Sequence, residues 1–220
     1  MSVFLLKIAL SFILPEKYRF IKPVPGRCGK TGRFVSGSCI LKKLSNDEIK
    51  GKRPGIAELR ETGRFPVAVI AENVRSLYNV GSMFRTSDGA LVEKLWLCGY
   101  TGFPPRKEID KTALGSVETV PWEYNPDTLS VIRKLKSEGY SIVSLEHTDS
   151  SVNYLEAEYK FPLCIMLGNE VEGLSEEAVA LSDSAVEIPM YGIKQSLNVS
   201  VAYGIIVYHL IEEFKKKKNI

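Results

Sequence analysis

Ile188-Pro189-Met190-Tyr191-Gly192-Ile193-Lys194-Gln195-Ser196-Leu197-Asn198-Val199-Ser200-Val201-Ala202 is the stretch around which the rest of this chain is organised. An apolar strand (Ala185, Val186, Ile188) runs into it, and a turn forms around Gly192. Past the turn, Ser196 and Asn198 stand where they cap a long apolar helix, since short polar side chains accept from the free N–H groups of a first turn. A strand end, a bent loop and a capped helix start gather backbone N–H and C=O groups around one small space. That suits a small polar ligand. An ordinary strand–helix connection would look the same on these residues alone.

Upstream, from Pro66, short apolar runs alternate with amphipathic segments. Strands are predicted over residues 67–71, 95–98, 141–145, 163–167 and 185–188, and helices over 80–90, 126–138, 175–181 and 199–216. Nearly continuous apolar strands between helices imply a parallel sheet covered on both faces, an α/β fold. No G-x-G-x-x-G follows the first strand, so the dinucleotide fingerprint of a Rossmann unit is missing. The last helix is apolar on nearly every side (Val201, Ala202, Ile205, Ile206, Val207, Leu210). It predicts burial all round, in the core or against a second copy.

At 220 residues, 45% apolar and 25% charged, the chain has the composition of a soluble globular domain with an extra arm. Residues 1–64 hold fourteen Lys and Arg against five Asp and Glu, and the remainder fifteen against twenty-one. The net +3 is therefore a basic arm on an acidic body, a layout that fits a nucleic-acid partner and equally a solvated tail. The arm, residues 1–64, reads as a partly disordered extension ahead of a domain over 65–220, with a flexible basic turn at 27–33 and a short helix opening at Ser45. Its first fourteen residues are apolar but interrupted by Lys7. They are too short to span a bilayer and lack the flanks of a signal peptide, leaving a docking segment or a leader. Cys28, Cys39, Cys98 and Cys164 form no C-x-x-C pair and have no His at ligand spacing. A reduced, cytoplasmic protein without a metal site follows, with Cys98 and Cys164 as buried thiols.

Three long stretches, in order, carry a resemblance. Glu72-Asn73-Val74-Arg75-Ser76-Leu77-Tyr78-Asn79-Val80-Gly81-Ser82-Met83-Phe84-Arg85-Thr86, Leu167-Gly168-Asn169-Glu170-Val171-Glu172-Gly173-Leu174, and the 188–202 stretch resemble the first, second and third signature motifs of the SpoU/TrmH-type RNA methyltransferases of the SPOUT superfamily. The resemblance covers roughly residues 65–214. It implies a parallel sheet flanked by helices with a deep C-terminal trefoil knot, and a homodimer through the knot and the last helix. It also implies transfer of a methyl group from S-adenosylmethionine to a ribose 2′-hydroxyl of tRNA or rRNA. Residues 111–116 are similar to a loop found in tRNA- and rRNA-modifying members alike.

By the same resemblance, Leu167, Gly168, Gly173, Ile188, Met190 and Leu197 are expected to hold the cofactor, largely through backbone contacts. Arg85 is the expected catalytic residue, activating the hydroxyl. A guanidinium keeps its proton, so fixing the phosphate and stabilising charge on the oxygen is easier to defend than general-base work. Asn79 is expected to orient Arg85 or the substrate, or simply to cap its helix. Glu170 is expected to accept from Arg85, Asn79 or a substrate group, and Ser196 and Asn198 to bond the ligand or serve as caps. His147 and His209 lie outside the three motifs and are not expected in catalysis. A non-catalytic RNA-binding or ribosome-assembly protein keeping the knotted fold is the alternative. The joint presence of Asn79, Arg85, Glu170, Ser196 and Asn198 argues for the enzyme.

Overall fold

The computed structural model describes residues 42–61 and 63–220. The apolar leader, the basic turn at 27–33, Cys28 and Cys39 lie outside the described residues. Two short helices come first, α1 (Asn46–Lys50) and α2 (Ile56–Glu61). The helix expected from Ser45 forms: the Ser45 hydroxyl accepts from the Glu48 N–H, and the Glu48 carboxylate accepts from the Ser45 N–H.

The body then runs β1 (Phe65–Glu72), α3 (Leu77–Gly89), β2 (Val92–Cys98), α4 (Lys107–Ala113), β3 (Trp122–Asn125), α5 (Thr128–Ser137), β4 (Ser141–Leu145), β5 (Val152–Asn153), β6 (Leu163–Leu167), α6 (Glu176–Ala180), β7 (Ser184–Glu187) and α7 (Val199–Lys218). Seven strands form one sheet in the order β3-β2-β1-β6-β4-β7-β5, and every neighbouring pair is parallel. All eight residues of β1 are buried because both faces of this interior strand are covered. Val67, Val69 and Ala71 join one core with Met83, Phe84, Tyr203, Ile206 and Leu210 of α3 and α7. Ala68 and Ile70 alternate to the opposite face and pack with Val131, Ile132, Leu135 and Ala178 of α5 and α6. A buried Ser87–Tyr203 hydroxyl pair, 2.7 Å apart, ties α3 to α7.

The predicted strands at 141–145 and 163–167 match β4 and β6 to the residue. The strand read over 185–188 sits one residue earlier, because Ile188 has already left the ladder for the loop. β3, β5 and α4 were not predicted, and the 111–116 stretch read as a loop begins inside α4. Cys98 and Cys164 are buried as expected, and desolvation pushes the Cys98 thiol up to about 12. α7 is not buried all round by this chain alone. Val201 and Tyr208 are each 51% exposed, so one side of this apolar helix is open. Among the described residues no helix is long and apolar enough to cross a membrane, and no cluster of His, Cys, Asp or Glu side chains suits a metal ion.

Candidate active site

At the carboxyl ends of β4, β6 and β7 the chain leaves a cavity of about 210 Å³, where an open parallel sheet ordinarily takes its ligand. Its lining comes from three places: Leu145, Glu146 and His147 after β4, residues 167–173 after β6, and Glu187, Ile188, Met190, Ser196, Leu197, Val199 and Ala202 around α7. All six residues expected to hold a cofactor (Leu167, Gly168, Gly173, Ile188, Met190 and Leu197) line it together. No backbone N–H from Ile188 to Leu197 has a protein acceptor among the described residues. The loop therefore keeps its donors available to a ligand.

The turn after β6 is held tightly. Asn169 and Gly173 exchange both backbone hydrogen bonds, and the Asn169 Oδ1 accepts from the Val171 and Glu172 N–H groups. Gly173 takes φ +73, a conformation that favours glycine, and Leu174 N–H donates to the Glu146 carboxylate. A Cβ on Gly168 would fall 2.1–2.3 Å from the Gly173 and Leu174 backbone. The absence of a side chain at Gly168 thus makes room for the protein's own turn, whatever contact it also makes with a ligand. Glu72, buried at the end of β1, accepts from both the N–H and the hydroxyl of Ser175. It fastens the far end of the turn to the sheet.

Glu170 projects from this turn to the start of α3. Its carboxylate accepts from the Arg75 N–H (3.0 Å), the Ser76 N–H (3.1 Å) and the Asn79 Nδ2 (2.8 Å). Asn79 Oδ1 in turn accepts from Asn198 Nδ2 at 3.1 Å, so all three motifs meet in one chain of hydrogen bonds. Partial burial alone would raise the Glu170 carboxyl, but the donors outweigh it and hold it below the usual value of 4.5. The bonds are therefore complete above pH 4.5 and are lost as the pH falls through the lower, folded value. Glu170→Gln should destabilise the protein by about 1–3 kcal/mol near pH 7, with the gap from wild type shrinking in acid, once the pH has fallen through the lowered folded value and wild type is itself protonated. Urea unfolding at neutral and at acid pH checks this. An equal gap at both would show that charge is irrelevant to the contact.

Other expected roles shift. Ser76, not Asn79, caps α3, which frees the Asn79 carboxamide for Glu170 and Asn198. Asn198 alone caps α7, while Ser196 stays in the exposed loop at the cavity. Glu170 does not bond Arg85, which is exposed on α3 and has no acceptor among the described residues. Six residues separate Asn79 from Arg85, about 9 Å along a helix and on a different face. His209 packs edge-on against Tyr154 and Tyr159, and burial pushes its pKa down. His147 lines the cavity with its Nδ1 3.2 Å from Glu187 Oε2. Glu146 and Glu187 went unnoticed in the sequence, and His147 was placed outside the motifs, since only strand order brings the ends of β4 and β7 together.

Comparison with known proteins gives a consistent picture. Residues 66–208 match the model of the SpoU rRNA Methylase family. A tRNA (guanosine(18)-2′-O)-methyltransferase of Aquifex aeolicus is 34% identical over 163 residues, 74% of this chain and 76% of that protein. The Escherichia coli K12 protein of the same name is 33% identical over 70% of this chain and 66% of its own length. Among solved structures, the A. aeolicus TrmH/SpoU tRNA modifying enzyme superposes with a TM-score of 0.64 at 33% identity, covering 71% of this chain and 78% of that one. An AdoMet-bound rRNA methyltransferase from Sinorhizobium meliloti gives 0.63 at 29% identity, over 67% of this chain and 56% of that one.

Proposed function

The chain belongs to the SpoU rRNA methylase family, and from that premise we propose that its cavity holds S-adenosylmethionine while the Glu170–Asn79–Asn198 network presents a ribose 2′-hydroxyl of tRNA or rRNA to it. The enzyme is an S-adenosylmethionine-dependent RNA 2′-O-ribose methyltransferase. The observation that carries the site assignment is the convergence of the second and third motifs on one cavity, with the first tied to its rim through Glu170.

The lining fits the cofactor's chemistry. Four carboxylates (Glu146, Glu170, Glu172 and Glu187) and no Lys or Arg line the cavity, which suits a cationic ligand. Leu145, Leu167, Ile188 and Leu197 supply apolar walls. When bound, the cofactor supplies a methyl group activated by its sulfonium centre. Glu170 already accepts from three donors, so it positions Asn79 and the α3 start and does not serve as a free base. Ser196 lines the cavity with no protein partner among the described residues, so its hydroxyl is available to the ribose or the cofactor. Arg85 is the group left to act on the hydroxyl or its phosphate. A non-catalytic role would leave this set of polar groups without a use, and the named relatives do not favour it.

Several finer features belong to the same reading. The 188–198 loop passes the 167–173 turn to reach α7, which packs on α3 and β1, a path that supports a C-terminal trefoil knot. The open side of α7, with Tyr191 and Ile193 almost fully exposed in the preceding loop, supports a homodimer through the knot and this helix. Sedimentation should return a dimer. We take residues 1–64 as a basic extension that adds RNA affinity, and the cytoplasm as the setting. Arg64 is not part of that supply, because its guanidinium donates to the Val92 and Thr119 carbonyls and clamps the sheet edge.

The deciding experiment is tritium transfer from labelled S-adenosylmethionine to bulk tRNA and rRNA from a strain lacking the gene, followed by mapping of 2′-O-methylated nucleotides. Guanosine 18 of tRNA, named for the relatives, is the first position to inspect. Incorporation into RNA is the expected result, and none into either pool would sink the assignment.

A further inference from the structure

We propose that the loop joining β2 to α4 is an aromatic stacking platform, centred on Tyr100 with Phe103 three positions on, that holds an unpaired RNA base near the nucleotide being methylated. The inference rests on the cavity being the RNA-methylating site. Its starting point is an oddity of Tyr100: the residue is 57% exposed, yet it is fixed at both ends. Its N–H donates to Asn73 Oδ1 at 3.1 Å, and its phenol oxygen accepts from Asn169 Nδ2 at 2.8 Å. Asn169 also donates to the Asn73 carbonyl, so one carboxamide joins the first motif, the second motif and this ring. The next residue, Glu170, holds Asn79.

The rest of the loop is braced as well. Gly99 takes φ +63, and the Asn73 side chain fills the space a Cβ would need. Leu77, in the first turn of α3, fills the corresponding space at Gly102. Phe103, 39% exposed, lies 4.2 Å from the Tyr124 ring in a tilted arrangement, and the Tyr124 hydroxyl donates to the Gly99 carbonyl. An exposed aromatic side chain normally keeps its rotamer freedom. Here that entropy is lost before a ligand arrives, which is what a preformed binding surface requires.

Charge selects the occupant. Arg75, Arg106, Lys107 and Lys111 flank the loop and the start of α3, all exposed and without an acidic partner among the described residues. Cations that follow a phosphate backbone, beside rings that take a base face, are the two ingredients of single-stranded nucleic-acid recognition. Stacking tolerates any base, so the platform would position the strand without reading its sequence.

The test uses the full chain and two fluorescein-labelled RNA probes of about twelve nucleotides, one oligoadenylate and one abasic, in anisotropy titrations. Wild type should bind the oligoadenylate about tenfold more tightly than the abasic strand, the size expected of stacking one base. Tyr100→Leu should erase that preference with the salt slope unchanged, since no phosphate contact is touched. Tyr100→Phe, which loses only the Asn169 bond, should keep it. No preference in wild type, an undiminished preference in the Leu variant, or equal loss in both variants would overturn the proposal. Methyl transfer measured alongside separates the two claims. A platform that behaves as expected in a protein that methylates no RNA would remove the cavity assignment alone. A normal enzyme with no base preference would remove the platform alone.

Discussion

Arg85→Ala should lower kcat for methyl transfer by about 100- to 1000-fold, the cost of removing one group that stabilises charge on a reacting oxygen. Its affinity for S-adenosylmethionine should stay within about twofold, because the guanidinium stands outside the cavity lining. On α3 the side chain shares an exposed face with Ser82 and Gly89, and the Tyr208 hydroxyl of α7 comes within 2.8 Å of where a Gly89 Cβ would stand. Nothing described within the chain accepts from the guanidinium, so its charge is free for a phosphate or a developing alkoxide. Arg85→Lys should recover only part of the loss, since an ammonium keeps the charge but not the planar pair of donors. Single-turnover transfer from tritiated cofactor, with calorimetry on the same preparations, separates the two effects. Near-normal turnover in the Ala variant would remove Arg85 from the chemistry.

That Arg85 stands apart also marks how far the sequence could be read. β6 was legible to the residue because it is a continuous apolar run buried throughout, and β4 because only Ser141 and Ser144 interrupt the apolar Ile142, Val143 and Leu145. β3, Trp122-Glu123-Tyr124-Asn125, is an edge strand with mixed polarity, and two-residue β5 carries no period at all. α4 was missed because Arg106 provides no capping side chain; only Ile109 and Ala113, four apart and buried, mark its inner face. Strand order was beyond reach. β1 pairs with β6, about a hundred residues away, and no local pattern encodes that neighbour. The cavity residues were legible where a motif named them, whereas Glu146 and His147 sit past β4 outside every motif. The partners of Glu170 depend on where α3 begins, and Ser76 takes the capping role that the sequence also offered to Asn79. That choice turns Asn79 toward Glu170 and Asn198.

Gly168→Ala should abolish measurable binding of S-adenosylhomocysteine and also destabilise the fold, which a simple block of the ligand would not do. The added methyl carbon would lie 2.1 Å from the Gly173 carbonyl carbon, 2.2 Å from the Leu174 nitrogen and 2.3 Å from the Gly173 oxygen. All three are backbone atoms, and none is free to yield. Gly173 is pinned by its two bonds to Asn169, Leu174 by Glu146, and Ser175 by the buried Glu72. Relief therefore requires the 168–174 turn to shift as a unit, breaking the Glu146 contact or dragging Glu170 from Asn79. Overpacking of this kind costs about 1–3 kcal/mol, which corresponds to a fall in Tm of roughly 2–12 °C for a domain of this size. Gly168→Val should lower the Tm further, because a branched side chain adds two methyl groups to the same clash. Thermal unfolding and calorimetry on the Ala variant check the two effects together. Lost affinity with an unchanged Tm would mean that the glycine serves the ligand directly. Unchanged affinity with a lowered Tm would mean that the turn can move without disturbing the cavity, and the site would then have to be rebuilt without it.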